Sequence, residues 1–303
     1  GWFYPPDGIN GEGLGKNIVT VGSAESGGGS GNSSWTNPGS STDNNPEDCS
    51  DFSSHGPSSE GMLKPNLTAC GGHYVFSADA DDPAGNCHTG IELMGGTSMA
   101  SPTAAGLAVL VREYYEDGFY PSGSAASADA LYPSAALVKA TLLASCRNMT
   151  GEYTIDDFEN SGHQDVPSAG QGWGRITLDD ALYFDDVYGT DSRKLEVYDV
   201  SPGFSSTGTD QYTVNIGSST TQSFKVVLSY TDYPSTPGAY SIVNNLNLEV
   251  VVGSDSYKGN VFASSGARSV TGGSYDALNP DEVVWLNSSE VSGQTVDIYV
   301  HCT

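Results

Sequence analysis

Apolar residues fall along this chain in two rhythms. Up to about residue 184 they come as short continuous runs alternating with longer helical stretches. Beyond about residue 194 they come as closely spaced short runs between turns. In the first region "KNIVTVGSAES" (16–26) holds β-branched residues in an apolar run ended by glycine, which predicts a buried strand. "HYVFSA" (73–78) predicts another, and "IELMGG" (91–96) a third. Residues 98–116 continue from it as a helix, rich in alanine and leucine and apolar nearly all round, as expected at a domain centre. Pro102 is placed in its first turn, where a missing N–H costs nothing. A second helix is predicted over "YPSAALVKATLLASC" (132–146), with Asn148 beyond it suited to a cap or a glycan. Residues 27–50, rich in glycine, serine, asparagine and proline and without periodicity, predict a long surface loop.

Strand–helix alternation of this kind predicts an α/β domain with a mainly parallel sheet. After "QGWGRITLDDALYF" (171–184) the pattern changes. "LEVYDV", "QYTVNI", "SFKVVLSY", "NLNLEVVV", "EVVWLN" and "TVDIYVHC" are short, β-rich and bounded by turns; "TVDIYV" alternates cleanly. They predict an antiparallel sandwich or jelly roll over 194–303, following an α/β portion over 1–190. No internal repeat is present.

Composition narrows the function classes. The chain has 303 residues, 37 acidic against 11 basic, for a formal charge of −26. Nucleic acid and anionic membrane would repel it. Charged residues make up only 16% of the total, so serine, threonine, asparagine and glycine must build much of the surface. Five cysteines and sequons at Asn32, Asn66, Asn148 and Asn287 point to a secreted, N-glycosylated protein. The opening "GWFYPPDGIN" has neither the basic start nor the apolar run of a signal peptide, and no run is long enough to span a membrane. The expectation is therefore a protein without membrane insertion whose true N-terminus lies upstream or has been removed.

The candidate chemistry sits in "MGGTSMASPTAAGLAVLV" (94–111). Ser98 stands at a predicted strand–helix junction, where free N–H groups and the helix dipole favour a developing oxyanion. Gly95 and Gly96 allow a substrate backbone to approach, with Thr97 beside them. Ala100 takes the last place of the G-x-S-x-G elbow, so that motif is absent. A serine here is also the ordinary N-cap of a helix. No neighbouring residue offers the base that a serine nucleophile needs.

"GGTSMASPTAAG" resembles the active-serine motif of the subtilisin-like serine proteases, the subtilases. "KNIVTVGSAES" is similar to the strand after the family's oxyanion-asparagine region, "DFSSHGPSSEGMLKPNLTACG" (51–71) to its "FSSRGP…KPD…APG" segment, and "GQGWGRITLDDAL" (170–182) to its closing element. "NNLNL" (244–248) resembles the "NDLDL" strand in the C-terminal β-domain of large alkaline subtilases. The resemblance implies Ser98 as nucleophile, its backbone N–H as part of the oxyanion hole, and an order Asp, His, Ser. It places the Asp, the His and the oxyanion Asn upstream of residue 1. The chain would then need a companion, an N-terminal segment or chain of the same protease, to cleave a polypeptide. The chemistry requires no cofactor.

Two other readings stand beside it. One is a catalytically inactive, subtilase-like extracellular structural or binding glycoprotein. The other is a hydrolase borrowing a local histidine: His73 and His88 flank the approach to the serine, while His55 and His163 lie in loops and His301 in the last strand. Cys70 stands where the family has proline, which suggests a Cys70–Cys87 disulfide and leaves Cys49, Cys146 and Cys302 as buried thiols or a link to the companion. Calcium, common in subtilases, has two acidic candidates, Asp79, Asp81 and Asp82 in one loop and Asp156, Asp157 and Glu159 in another.

Overall fold

A computed structural model of the chain describes residues 8–9, 11–27, 45–72, 75–79, 90–151, 154–156, 159–160, 164–185, 194–236 and 242–303. Strand β1 (Val21–Ala24) pairs in parallel with β2 (Leu67–Cys70), Val21 opposite Leu67. Strands β3 (Val75–Ala78) and β4 (Ile91–Met94) pair with each other, antiparallel, as a separate ribbon. Helices α1 (Thr97–Glu116) and α2 (Ala135–Ala144) follow, then β5 (Cys146–Arg147), the short hairpin β6 (Thr154–Asp156) and β7 (Glu159–Asn160), and β8 (Arg175–Ile176). The first sheet runs β1-β2-β8-β5, parallel except for β5. The parallel α/β arrangement is there. It is narrower than expected, because the two strands leading to the serine form their own ribbon.

The main helix departs from expectation twice. It starts at Thr97, so Pro102 is its sixth residue and lies in the second turn. The proline ring there removes the N–H that would otherwise close on the Ser98 carbonyl. The helix is also buried on one face only. Ala100, Ala104, Val111 and Tyr115 follow the helical repeat into the core. On the opposite face Pro102, Ala105, Gly106, Val109 and Leu110 meet solvent, Val109 at 63% and Leu110 at 49% of full exposure. Gly118, with φ +72°, ends the helix: its N–H reaches the Tyr115 carbonyl and that of Phe119 reaches Tyr114. The second helix is capped from both sides. Ser134 Oγ accepts from Leu137 N–H, and at the other end Lys225 Nζ donates to the Ala144 and Cys146 carbonyls at 3.0 and 2.6 Å. Its cap residue is Ser145, not Asn148.

From residue 194 the described chain builds two antiparallel sheets. Strands β9 (Gly208–Asn215), β10 (Phe224–Ser229), β11 (Leu246–Val252), β12 (Asp255–Lys258) and β13 (Asp281–Leu286) are followed by a helical turn, α3 (Ser288–Val291), and by β14 (Thr295–Cys302). One sheet runs β12-β11-β14-β9; the other pairs β10 with β13. The two-stranded sheet is a middle layer. Phe224, Val226, Leu228, Val284 and Leu286 face the outer sheet, packing with Leu248, Val250, Val296 and Ile298. Alternate residues Val227, Val283 and Trp285 face the other way, into the core with Leu67, Leu143, Trp173 and Ile176. Strand periodicity of two thus makes β13 buried at every position, a core shared by the regions before and after the junction near residue 190. Residues 186–193, where that junction was expected, lie outside the described residues.

Candidate functional site

The serine turn is fixed from below by β2. After Cys70 the chain continues through Gly71, whose carbonyl accepts the Gly96 N–H at 2.6 Å. A Cβ on Gly71 would lie 2.5 Å from the Ala100 Cβ and 2.7 Å from the Gly96 oxygen. Only glycine permits this approach of strand end to helix start. Gly96 itself, at φ 151°, is the N-cap residue and makes no side-chain cap.

Ser98 is the second residue of α1, so it is not the cap. An N-cap serine would accept a helix N–H through its hydroxyl. The Ser98 hydroxyl has no hydrogen-bond partner among the described residues, and the side chain is exposed. The Gly96 carbonyl takes the N–H groups of Met99 and Ala100 at 2.9 and 3.2 Å. The N–H groups of Thr97 and Ser98 keep no acceptor among the described residues, two free donors at the positive end of a 20-residue helix. Gly95 is exposed and Thr97 half-buried beside them. The turn therefore presents an exposed hydroxyl and a pair of free N–H donors. It holds no base among the described residues.

The other sequence candidates disperse. His301 lies on β14, between Thr209 and Glu249, 3.0 Å from each. His55 sits in the loop after β1, while His73, His88 and His163 lie outside the described residues. Cys49, Cys70, Cys146 and Cys302 are free thiols, which leaves no disulfide among the described residues; Cys87, the expected partner of Cys70, lies outside them. Burial pushes Cys49 and Cys146 up to about 12, so both behave as small apolar groups. Of the calcium candidates, Asp81, Asp82 and Asp157 lie outside the described residues, as do the side chains of Asp156 and Glu159. Among the described residues no three metal-binding side chains gather, and no helix is long and apolar enough to cross a membrane.

The sequons divide by burial, and one expectation is overturned. Asn66 is 4% exposed; its Nδ2 donates to Asp281 and its Oδ1 accepts from Thr20 N–H and Lys64 Nζ. A glycan on that nitrogen has no room. Asn148 is half-buried and donates to Asp165 Oδ1 at 2.7 Å. Asn287 is exposed at the start of α3, its Oδ1 held by Arg268. Asn32 lies outside the described residues.

Asn66 belongs to a polar junction that sequence reasoning missed. Lys139 pairs with Asp281 and Lys16 with Asp232, each at 2.7 Å and nearly fully buried. Lys64 donates to the Gly15 carbonyl, Thr20 Oγ1 and Asn66 Oδ1, and burial, followed by the Lys139 charge, pulls it down to about 7. Asp232 also gathers the N–H groups of Val243 and Asn244. The lysines come from one region and the aspartates from the other. Each looks like a surface charge in the sequence, since no local pattern shows its partner; that of Lys16 stands 216 positions away.

Comparison with known proteins fits this geometry. The model of the subtilase family matches residues 6–174. Among curated relatives, the serine protease/ABC transporter B family protein tagD of Dictyostelium discoideum is 28% identical over 232 residues, 65% of this chain and 13% of its own length. The tagB protein of that name and organism is 26% identical over 278 residues, 79% of this chain. The tagA protein is 28% identical over 265 residues, 82% of this chain. The chain spans about an eighth to a seventh of the length of these relatives.

Proposed function

The chain belongs to the subtilase family and carries a serine protease domain of that family, and on that premise we propose that it is the serine-bearing portion of a secreted endopeptidase completed by a companion segment. One observation carries the reading. The exposed serine stands at the head of a helix whose outer face, Pro102, Ala105, Gly106, Val109 and Leu110, is apolar and uncovered. The β3–β4 ribbon beside it exposes Phe76 and Ile91 at 71% and 72%. Apolar surface of this extent is a binding face in a soluble protein. A companion bringing Asp, His and Asn would cover it and supply the base.

In the completed site the companion's His takes the Ser98 proton as Oγ attacks the scissile carbonyl carbon. The oxyanion accepts from the Ser98 N–H and the companion's Asn. Collapse returns the proton to the leaving amine and leaves an acyl group on Ser98, which water, deprotonated by the same His, releases as the acid. The helix dipole and the free N–H groups favour the anionic step. No cofactor enters. The substrate is a polypeptide, Asn287 is the sequon best placed for a glycan, and the all-β region is the counterpart of the β-domain of large alkaline subtilases.

The test is fluorophosphonate labelling of the protein as isolated, with the modified peptide and every co-purifying chain identified by mass spectrometry. Labelling at Ser98, lost in Ser98→Ala, alongside a fragment bearing the Asp and His, supports the proposal. A companion that co-purifies without labelling turns the reading to an inactive scaffold. A compact, monomeric chain of 303 residues with no companion overturns it.

A further inference from the structure

Two buried aspartates at the junction of the two regions are matched by a cation and several further donors. Asp281 meets Lys139, Asn66 and Ser229 Oγ; Asp232 meets Lys16 and three backbone N–H groups. Glu282, next to Asp281 on β13, is fully buried on the opposite face, between the two antiparallel sheets. Its Oε2 accepts one bond, from Leu248 N–H at 2.8 Å, and its Oε1 has no partner among the described residues. The Gly259 backbone presses against the carboxyl so closely that a Cβ there would overlap it.

The groups around it give no compensation. The Tyr230 phenol follows β10, and Asp276 and Tyr275 come from the loop before β13, Asp276 bringing a like charge. Glu249 on β11 is held on the outer face by Ser256, Tyr275 and His301. Lys258 of β12 is engaged by the Gly273 carbonyl and the Tyr275 ring. Among the described residues no lysine, arginine or histidine pairs with Glu282. An unpaired charge here is far costlier than a neutral acid.

We propose that Glu282 is a pH-operated latch: as the neutral acid it lets the two sheets close on β13, and on ionising it forces them apart. The other face of β13 carries Asp281, Val283 and Trp285 into the core shared with the serine-bearing region, so opening the sandwich loosens that region as well. Desolvation, followed by the Asp276 charge, raises the carboxyl from 4.5 to about 8. A folded-state value above the unfolded one makes this contribution complete below about 4.5. It is lost as pH rises through 8 and stays level beyond. This single contribution favours the closed sandwich at acidic pH.

Urea unfolding of the complete protein, from pH 5 to pH 9, tests the latch independently of any peptidase activity. One proton bound in the folded state alone raises the unfolding constant about tenfold per pH unit within the window. Glu282→Gln should remove that increment while other slopes persist, and Glu282→Leu, which keeps the burial without the acid, should do the same. Exchange of the Leu248 amide, corrected for the intrinsic rate, should accelerate between pH 5 and pH 8.5 in the wild type only. A slope unchanged in the variants that fold, or wild-type Leu248 protection equal at both pH values, overturns the proposal.

Discussion

At the scale of single residues, the serine turn depends on a missing side chain more than on one present. Gly71 lets the end of β2 approach the start of α1, with its carbonyl holding the Gly96 N–H. Gly71→Ala should push the Ser98 turn outward by a fraction of an ångström to an ångström. Displacement of a reacting atom on that scale costs on the order of a hundredfold in rate. Fluorophosphonate labelling should slow by about that factor, with the folded protein retained; labelling at the wild-type rate would show that Gly71 does not set the turn. Ser98 and its glycines are legible in sequence because the motif is local. Gly71 is legible only as part of "TACGG", and its partner Ala100 only through space. The sequon at Asn66 misled for the same reason: three residues define the signal, while burial against Asp281 is decided 215 positions away.

At the scale of elements, burial is the property hardest to read from the sequence. The α1 sequence is apolar on both faces, so it predicts a helix with something on each side. The structure covers one side. The segment "EVVWLN" reads only as a short β-rich run between turns and does not say what its faces meet. The structure supplies the answer, with the outer sheet on one face and the helical layer on the other. Asp281 and Lys139 pin that second contact. Asp281→Ala leaves Lys139 charged and buried without its partner, a loss of about 3–5 kcal/mol. The thermal midpoint should fall by several degrees, and Asp281→Ala with Lys139→Met together should recover much of the loss. A double variant no better than the single one would place the energy elsewhere than in the pair.

At the scale of the whole molecule, the outer face of α1 and the β3–β4 ribbon make one prediction. Leu110→Glu alters an exposed residue, so the chain itself should change in stability by no more than about 0.5 kcal/mol. The same change desolvates a charge if a companion covers the helix, and should weaken co-purification of the companion by tenfold or more. Equal recovery of the companion would move its docking site off this face. The α/β portion with its parallel sheet was legible from the rhythm of the chain, and the family from its motifs. The union of the two regions was not, because it rests on ion pairs and a middle sheet assembled from residues far apart.

That middle sheet has a consequence in time. Strand β8, the last of the parallel sheet, ends at residue 176, yet the wall that closes its core includes Val283 and Trp285. During synthesis the serine-bearing region leaves the ribosome well before that wall exists. At roughly 5–20 residues per second, the intervening stretch takes on the order of 5–20 s to appear. For that interval the cap on α2 from Lys225, the Lys139 counterion and the cover over Leu67 and Trp173 are all absent. The nascent chain must wait with its core open until Val283 and Trp285 emerge to close it.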